Sequence, residues 1–341
     1  MASKTRYGFQ LFEVALHDGT SRAVHDFIEG VLQTDGPTFE ETFKLQIPSL
    51  EGMTRTGNLS YRDASNAGGD ESDTKPAIRV IGARVATNSR VDFEFRYGRV
   101  GSHDLAIAAD EADDAELDGK ASTNIYRASF YFPTSGKRAI LVVENRGNVC
   151  PFDYLLKHLS FSSREFDSSL DPERTTGWWR LMAKGITDAD RLEEILLEGK
   201  GAALQLEKRS TGGDGRRRTS DIVLRQNGLP VSRLPQLKAL VLDWMDVSDP
   251  NPDATPAPEG TSVEQVAALI DINVITDEFD DGAVVYDDGN GRTQTIRRHS
   301  TRDVFIYPLT VGRQPMPSEI RVAAEDRIRR LLGTLQIQIV T

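Results

Sequence analysis

The sequence predicts an α+β fold: mainly antiparallel sheets covered by a few helices. Three observations carry that expectation. Val91, Phe93, Phe95 and Tyr97 alternate with Asp92, Glu94 and Arg96, which is the period of a half-buried strand. Short turn signals, Pro133-Thr134-Ser135-Gly136 and Asp288-Gly289-Asn290-Gly291, join neighbouring apolar runs as hairpins rather than as long parallel crossovers. A continuous helical stripe is clearest near the end, at Ile320, Ala324, Ile328, Leu331 and Leu335.

In chain order, Arg6–Leu16 is rich in aromatic and apolar residues and ends at the turn His17-Asp18-Gly19, so it reads as a strand. Thr20 then suits a helix cap, with Val24, Phe27, Ile28 and Val31 at helical spacing. Phe43, Leu45 and Ile47 alternate, predicting a strand, and 49–75 reads as a long polar loop. Ile78-Arg79-Val80 and Val91–Tyr97 are strands, and His103–Ala109 is a short one running into the acidic loop 110–120. Asn124–Phe132 and Arg138–Glu144 form a hairpin. Pro151 then opens a helix carrying Phe152, Leu155, Leu156 and Leu159.

With 341 residues the chain exceeds the usual size of one core. The expected division is an N-terminal α+β domain at 1–160, a polar linker or crossing at 161–176, and a C-terminal α+β domain at 177–341. The second half opens with a strand at Gly177–Ile186. A helix capped by Thr187 with Asp190 and lined by Leu192, Ile195 and Leu196 follows, then a strand at Ala202–Lys208. That order reads as a ferredoxin-like β-α-β unit. Leu237–Val247 reads as an apolar strand, 248–261 as a Pro-rich connector, and Ile270–Thr276, Ala283–Tyr286, Thr293–Arg298 and Val304–Leu309 as strands. Ser318 suits the cap of the last helix.

Composition narrows function more than it names it. A hydrophobic fraction of 38% with 27% charged residues describes a soluble globular chain, and no apolar run is long enough to span a bilayer. The first residues lack a signal-peptide core, and the chain has 1 cysteine, so a cytoplasmic protein without a disulfide framework is expected. A net charge of −11 disfavours nucleic-acid binding over the whole surface. P-loop, dinucleotide-binding, nucleophile-elbow and H-E-x-x-H motifs are absent, and the histidines at 17, 25, 103, 158 and 299 form no local zinc cluster. No cofactor and no metal site are expected.

Several stretches invite closer reading. Asp277–Asp288 puts Gly282 where a calcium loop needs glycine, but Phe279 and Asp288 fall where an oxygen ligand and a bidentate Glu belong, and its flanks read as strands. It is expected to be a solvated turn, and the acidic run Asp110–Asp118 a solvated loop. Cys150 and His158 lie two helical turns apart, ~12 Å, too far for thiol activation. Trp178 and Trp179 are adjacent on a strand, which predicts one ring in the core and one exposed. Three arginine clusters stand out: Arg216, Arg217 and Arg218; Arg297, Arg298, His299 and Arg302; and Arg321, Arg327, Arg329 and Arg330. Arginine forks suit phosphate, so the first two groups are the candidate binding residues.

Glu144-Asn145-Arg146 is the candidate catalytic edge. Metal-dependent nucleases often place a carboxylate at the end of a hairpin strand and a lysine two positions on. Here Glu144 fills the first slot, Arg146 the second, and Asp92 or Glu94 would supply the other acid. Arginine is a poor proton-transfer group, since its pKa stays above about 12.

The order of hairpin, Glu-x-Arg-Gly exit, helix, Trp-Trp strand and Asp-Ala-Asp-Arg-Leu helix, over Asn124–Lys208, resembles bacterial proteins encoded near anti-phage defence genes. That resemblance implies a cytoplasmic component of a multi-gene immune system and assigns no catalytic residue. The expected function is therefore an accessory or binding protein that engages a protein partner, or RNA or DNA, through Arg-rich surfaces. The alternative is a metal-dependent nuclease or phosphoryl-transfer enzyme using Glu144 with upstream carboxylates and Mg²⁺.

Overall fold

The computed structural model describes all residues except 1–6, 20–22, 28–29, 31–37, 58, 60–74, 88, 101–104, 107–114, 117–120, 148, 171–177, 199–201, 209–221, 228, 246–255, 271–278, 288–292, 299–304, 310–312, 336, 338 and 340–341. The elements follow in the order β1 (Tyr7–Asp18), β2 (Val24–His25), α1 (Phe39–Leu50), β3 (Thr54–Thr56), β4 (Lys75–Thr87), β5 (Arg90–Val100), β6 (Leu105–Ala106), β7 (Ala115–Glu116), β8 (Ala121–Tyr131) and β9 (Arg138–Arg146). Then come α2 (Phe152–Leu170), β10 (Trp179–Gly185), α3 (Ala189–Glu198), β11 (Ala203–Lys208), β12 (Ile222–Asn227), α4 (Leu234–Trp244), α5 (Ser262–Ile270), β13 (Asp281–Asp287), β14 (Thr293–Arg297), β15 (Tyr307–Leu309) and α6 (Pro317–Leu335). The architecture is α+β and dominated by antiparallel sheet, as the alternation predicts.

The chain forms two compact units, Met1–Lys184 with Tyr307–Thr341, and Gly185–Ile306. The last strand and helix thus belong with the first half, whereas the sequence grouped them with 177–306.

The first unit is built on one large sheet in the order β10-β1-β9-β8-β5-β4-β3, with β2 and β15 also pairing to β1. One face carries Phe12, Val14, Phe93, Phe95, Phe130 and Leu141, all buried against α1 and α2. Phe39 and Phe43 of α1 meet Trp179 at ring-centroid distances of 5.2 and 5.3 Å.

Several elements differ from expectation. Phe43 and Ile47 lie on a helix because they fall four apart, in line with buried Phe39 and Leu50, while Leu45 is 68% exposed. Thr38 and Glu41 cap that helix reciprocally. Val24 is on the short strand β2 rather than a helix, and Ile28 and Val31 lie outside the described residues. Within 49–75, Thr54–Thr56 pairs with β4.

The expected linker at 161–176 is helical through Leu170, for a specific reason. Ser163 Oγ accepts from Trp179 N at 3.1 Å, and Ser160 Oγ accepts from Leu181 N at 3.1 Å. β10 is an edge strand, so its free N–H groups need partners, and the polar face of α2 provides them. Trp178 and Trp179 are both buried, correcting the expectation that one is exposed. Arg164 lies over the Trp178 ring at 5.8 Å.

The second unit holds a four-stranded sheet, β12-β11-β13-β14. β10 and β11, which flank α3 in sequence, belong to different sheets, so the β-α-β order is not one ferredoxin-like unit. Asp188, not Thr187, caps α3, accepting from Arg191 N at 3.0 Å. Leu237–Val247 is not a strand: Leu237, Leu240, Val241 and Trp244 form the buried stripe of helix α4. Ile270 closes α5 and does not open a strand, because Thr261 and Glu264 make a capping box just before it. Gly282 of β13 lies so close to this helix that a Cβ would meet Ser262 O at 2.3 Å. α6 starts at Pro317, one residue before Ser318, and Glu319 accepts from Met316 N at 2.6 Å. Of the acidic run 110–118 only Ala115 and Glu116 are described, and residues 248–255 of the connector lie outside the described residues. Among the described residues, no helix is long and apolar enough to cross a membrane.

Candidate functional site

The second face of the large sheet is charged, yet much of it is covered. Register explains how. β9 places Glu144 opposite Phe9 of β1, and Arg146 opposite Tyr7. β8 places Arg127 opposite Glu94 and Ser129 opposite Asp92. Alternation then puts Asp92, Glu94, Arg127, Glu144 and Arg146 on one face. Asp92 and Glu94, named from the sequence as sources of the other acid, thus lie on the same face as Glu144.

What stands between the acids is a guanidinium. Arg127 Nη1 lies 3.5 Å from Glu144 Oε2, and Arg127 Nη2 lies 3.5 Å from Glu94 Oε1. Arg127 Nη1 also donates to Pro315 O at 2.9 Å, just before α6. Arg146 donates to Asn124 Oδ1 at 2.8 Å, to Tyr7 Oη at 3.1 Å and to Gln314 Oε1 at 3.5 Å. Asp92 is held separately, by Ser129 Oγ at 2.8 Å and Arg90 Nε at 3.1 Å. Arg90 continues to Glu325 of α6 at 2.9 Å, and Tyr131 donates to the same carboxylate at 3.4 Å.

Burial dominates the titration of this face. Glu144 is 0% exposed, and loss of hydration pushes its carboxyl up to about 7 even though Arg127 and Arg146 oppose the shift. The Tyr131 phenol, on the same face, is pushed up by the same cause. Because it is buried, Glu144 has no access to a substrate in this conformation. Among the described residues, no group of three or more His, Cys, Asp and Glu is placed to hold a metal.

Beside Arg127 the sheet opens into a cavity of about 480 Å³ between β4, β5, β8 and α6. Its charged lining includes Arg84, Glu94 and Arg321, and Ile320 and Ala324 of α6 supply an apolar wall. Gly82 helps make the space. The nearest atom to a Cβ there would be Glu94 Cβ, at 3.8 Å, so a glycine leaves open volume where a larger residue would stand. Neither Arg127 nor Gly82 was picked out in the sequence. The available signal was the polar half of the β5 and β8 alternation, which reads as a solvated face until α6 is placed on it.

The other sequence candidates are dispersed. Arg297 pairs with Glu207 and lies 3.8 Å from Asp281, while Arg298 donates to Gly260 O at 3.0 Å. Arg216, Arg217, Arg218, His299 and Arg302 lie outside the described residues. Arg327 is buried over the Tyr307 ring at 5.4 Å, and Arg330 pairs with Asp326 at 2.7 Å. His158 is fully buried, and Cys150 is half-buried. Compared with protein-family models, with curated proteins and with solved structures, the chain gave no match.

Proposed function

We propose that the protein acts by binding, as an accessory component, and that a small polar molecule occupies the cavity beneath α6. The observation that carries this reading is the cavity itself. At about 480 Å³ it falls within the range of small-molecule pockets, and it sets charged groups beside an apolar wall. Arg127 supports binding over cleavage. A metal bridging Glu94 and Glu144 would have to displace the guanidinium that already stands between them. Binding of nucleic acid or a protein partner through Arg297 and Arg298 is less favoured, because both side chains already have partners within the unit. A place in an anti-phage system, and in the cytoplasm, rests on the sequence resemblance and composition alone.

The test is a ligand-observed NMR screen of polar metabolites against the full chain and a Gly82→Leu variant. Hits that bind the wild type and not the variant are expected, since leucine fills open space without displacing backbone. Hits that bind both proteins equally would remove the cavity from the reading. In parallel, no Mg²⁺- or Mn²⁺-dependent cleavage of DNA or RNA is expected; cleavage that disappears in Glu144→Ala would restore the nuclease alternative.

A further inference from the structure

Away from that cavity, the same sheet face carries a second feature of different chemistry. β3 pairs Thr54 with Arg79 and Thr56 with Ala77. β4 pairs Arg79 with Arg96, and β8 pairs Thr123 with Gly98. Two arginines therefore stand directly opposite each other on neighbouring strands, with three threonines around them. Among the described residues, a cleft of about 400 Å³ is lined by Thr54, Thr56, Arg79, Arg96 and Thr123 together with apolar residues, and by no carboxylate.

Like charges directly opposite on a sheet are destabilising, and elsewhere on this face they are avoided. Arg127 faces Glu94, and Arg90 reaches Asp92 and Glu325. Arg79 and Arg96 have no carboxylate at ion-pair distance among the described residues, in a chain whose net charge is −11. Arg79 Nε donates to Thr54 Oγ1 at 2.6 Å, which fixes its guanidinium and leaves its terminal nitrogens to donate elsewhere. Arg96 makes no ion pair or side-chain hydrogen bond to a described residue.

We propose that Arg79, Arg96 and the hydroxyls of Thr56 and Thr123 form an oxyanion site, with Thr54 holding Arg79 in place, and that its ligand is a phosphate group. Two guanidinium forks provide charge and paired donors, and the hydroxyls provide short neutral donors, a combination suited to the oxygens of a phosphate. Among the described residues no aromatic ring lines the cleft, so recognition rests on the phosphate and not on stacking a base. This site is independent of the occupant of the cavity beneath α6.

Isothermal titration calorimetry of the full chain, at constant ionic strength in chloride buffer, tests it with inorganic phosphate, AMP and a short oligothymidylate. Saturable binding of phosphate or AMP is expected, weakened about tenfold or more by Arg96→Gln and by Arg79→Gln. AMP binding with the same dependence assigns the site to phosphomonoesters. Oligothymidylate binding lost in the same variants assigns it to a nucleic-acid backbone. No heat with any of the three probes, or binding unchanged in both variants, overturns the site. Thermal unfolding in phosphate-free buffer controls for folding. Arg96→Gln is expected to equal or exceed the wild-type Tm, because it relieves the repulsion; a clear fall would show that Arg96 has a structural partner and would overturn the site as well.

Discussion

Two buried ionisable side chains give opposite pH dependences that single substitutions separate. Glu144 is raised to about 7 from an ordinary value of 4.5, so the folded chain holds a proton that the unfolded chain releases between those values. Its contribution is full below pH 4.5 and is lost as pH rises through 7, with an upper bound of ~3 kcal/mol. Glu144→Gln keeps the neutral shape, so thermal unfolding from pH 5 to 8 should show the variant gaining on the wild type as pH rises; a constant difference would refute the assignment. His158 behaves in the reverse sense. Burial, aided by the charge of Arg55, lowers it from 6.5 to about 4, so its contribution is full above 6.5 and is lost as pH falls through 4. Neither of its ring nitrogens has a hydrogen-bond partner among the described residues. His158→Leu should therefore flatten the acid limb of the stability profile, measured as Tm between pH 4 and 6.5, without lowering Tm at neutral pH. The sequence marked Glu144 as the residue whose neighbours mattered, and the strand period put Asp92 with Glu94, and Glu144 with Arg146, each pair on one face of its own strand. It did not reveal Arg127, because a residue on another strand becomes a neighbour only through register.

At the scale of elements, local signals were present but did not decide the reading. Thr38 with Glu41 and Thr261 with Glu264 are caps spanning four consecutive residues, yet the α1 stretch read as a strand and α5 was not expected as a helix. The Phe43-Leu45-Ile47 spacing misled because two of its three apolar residues satisfy both a strand period and a helix period. The second half of α2 was not legible at all, since its serines are polar for the sake of a strand that comes later in the chain. That arrangement makes a paired prediction. Ser163→Ala would strand the Trp179 N–H inside the protein and should cost about 1–3 kcal/mol in urea unfolding. Ser162 is also buried, but its hydroxyl has no partner among the described residues, so Ser162→Ala should be neutral or stabilising. Equal losses at the two positions would mean that these serines act through helix packing and not through the edge strand.

For the molecule as a whole, the least legible fact is that the chain leaves the first unit at Lys184 and returns at Tyr307. No composition shift marks the return, because α6 has an apolar stripe that any sheet could cover. What selects this sheet face is polar. Glu325 meets Arg90 and Tyr131, while Pro315 and Gln314, just before the helix, meet Arg127 and Arg146. These contacts hold α6 over a face whose charges would otherwise sit in water, and they make one wall of the cavity. Glu325 and Arg90 are only 14% and 11% exposed, so removing one partner leaves a largely buried charge, which costs up to ~3–5 kcal/mol in fully buried pairs and less here. Glu325→Gln should therefore speed hydrogen exchange of the α6 amides and weaken any ligand of the cavity. Amides of β11 and β13, in the second unit, should keep their wild-type rates, since every partner of Glu325 named above belongs to the first. Exchange measured by mass spectrometry distinguishes the cases: faster exchange confined to α6 and its strands supports a latch within one unit. A uniform rise across both units would mean that the helix stabilises the entire chain and that its polar contacts are not a separate device.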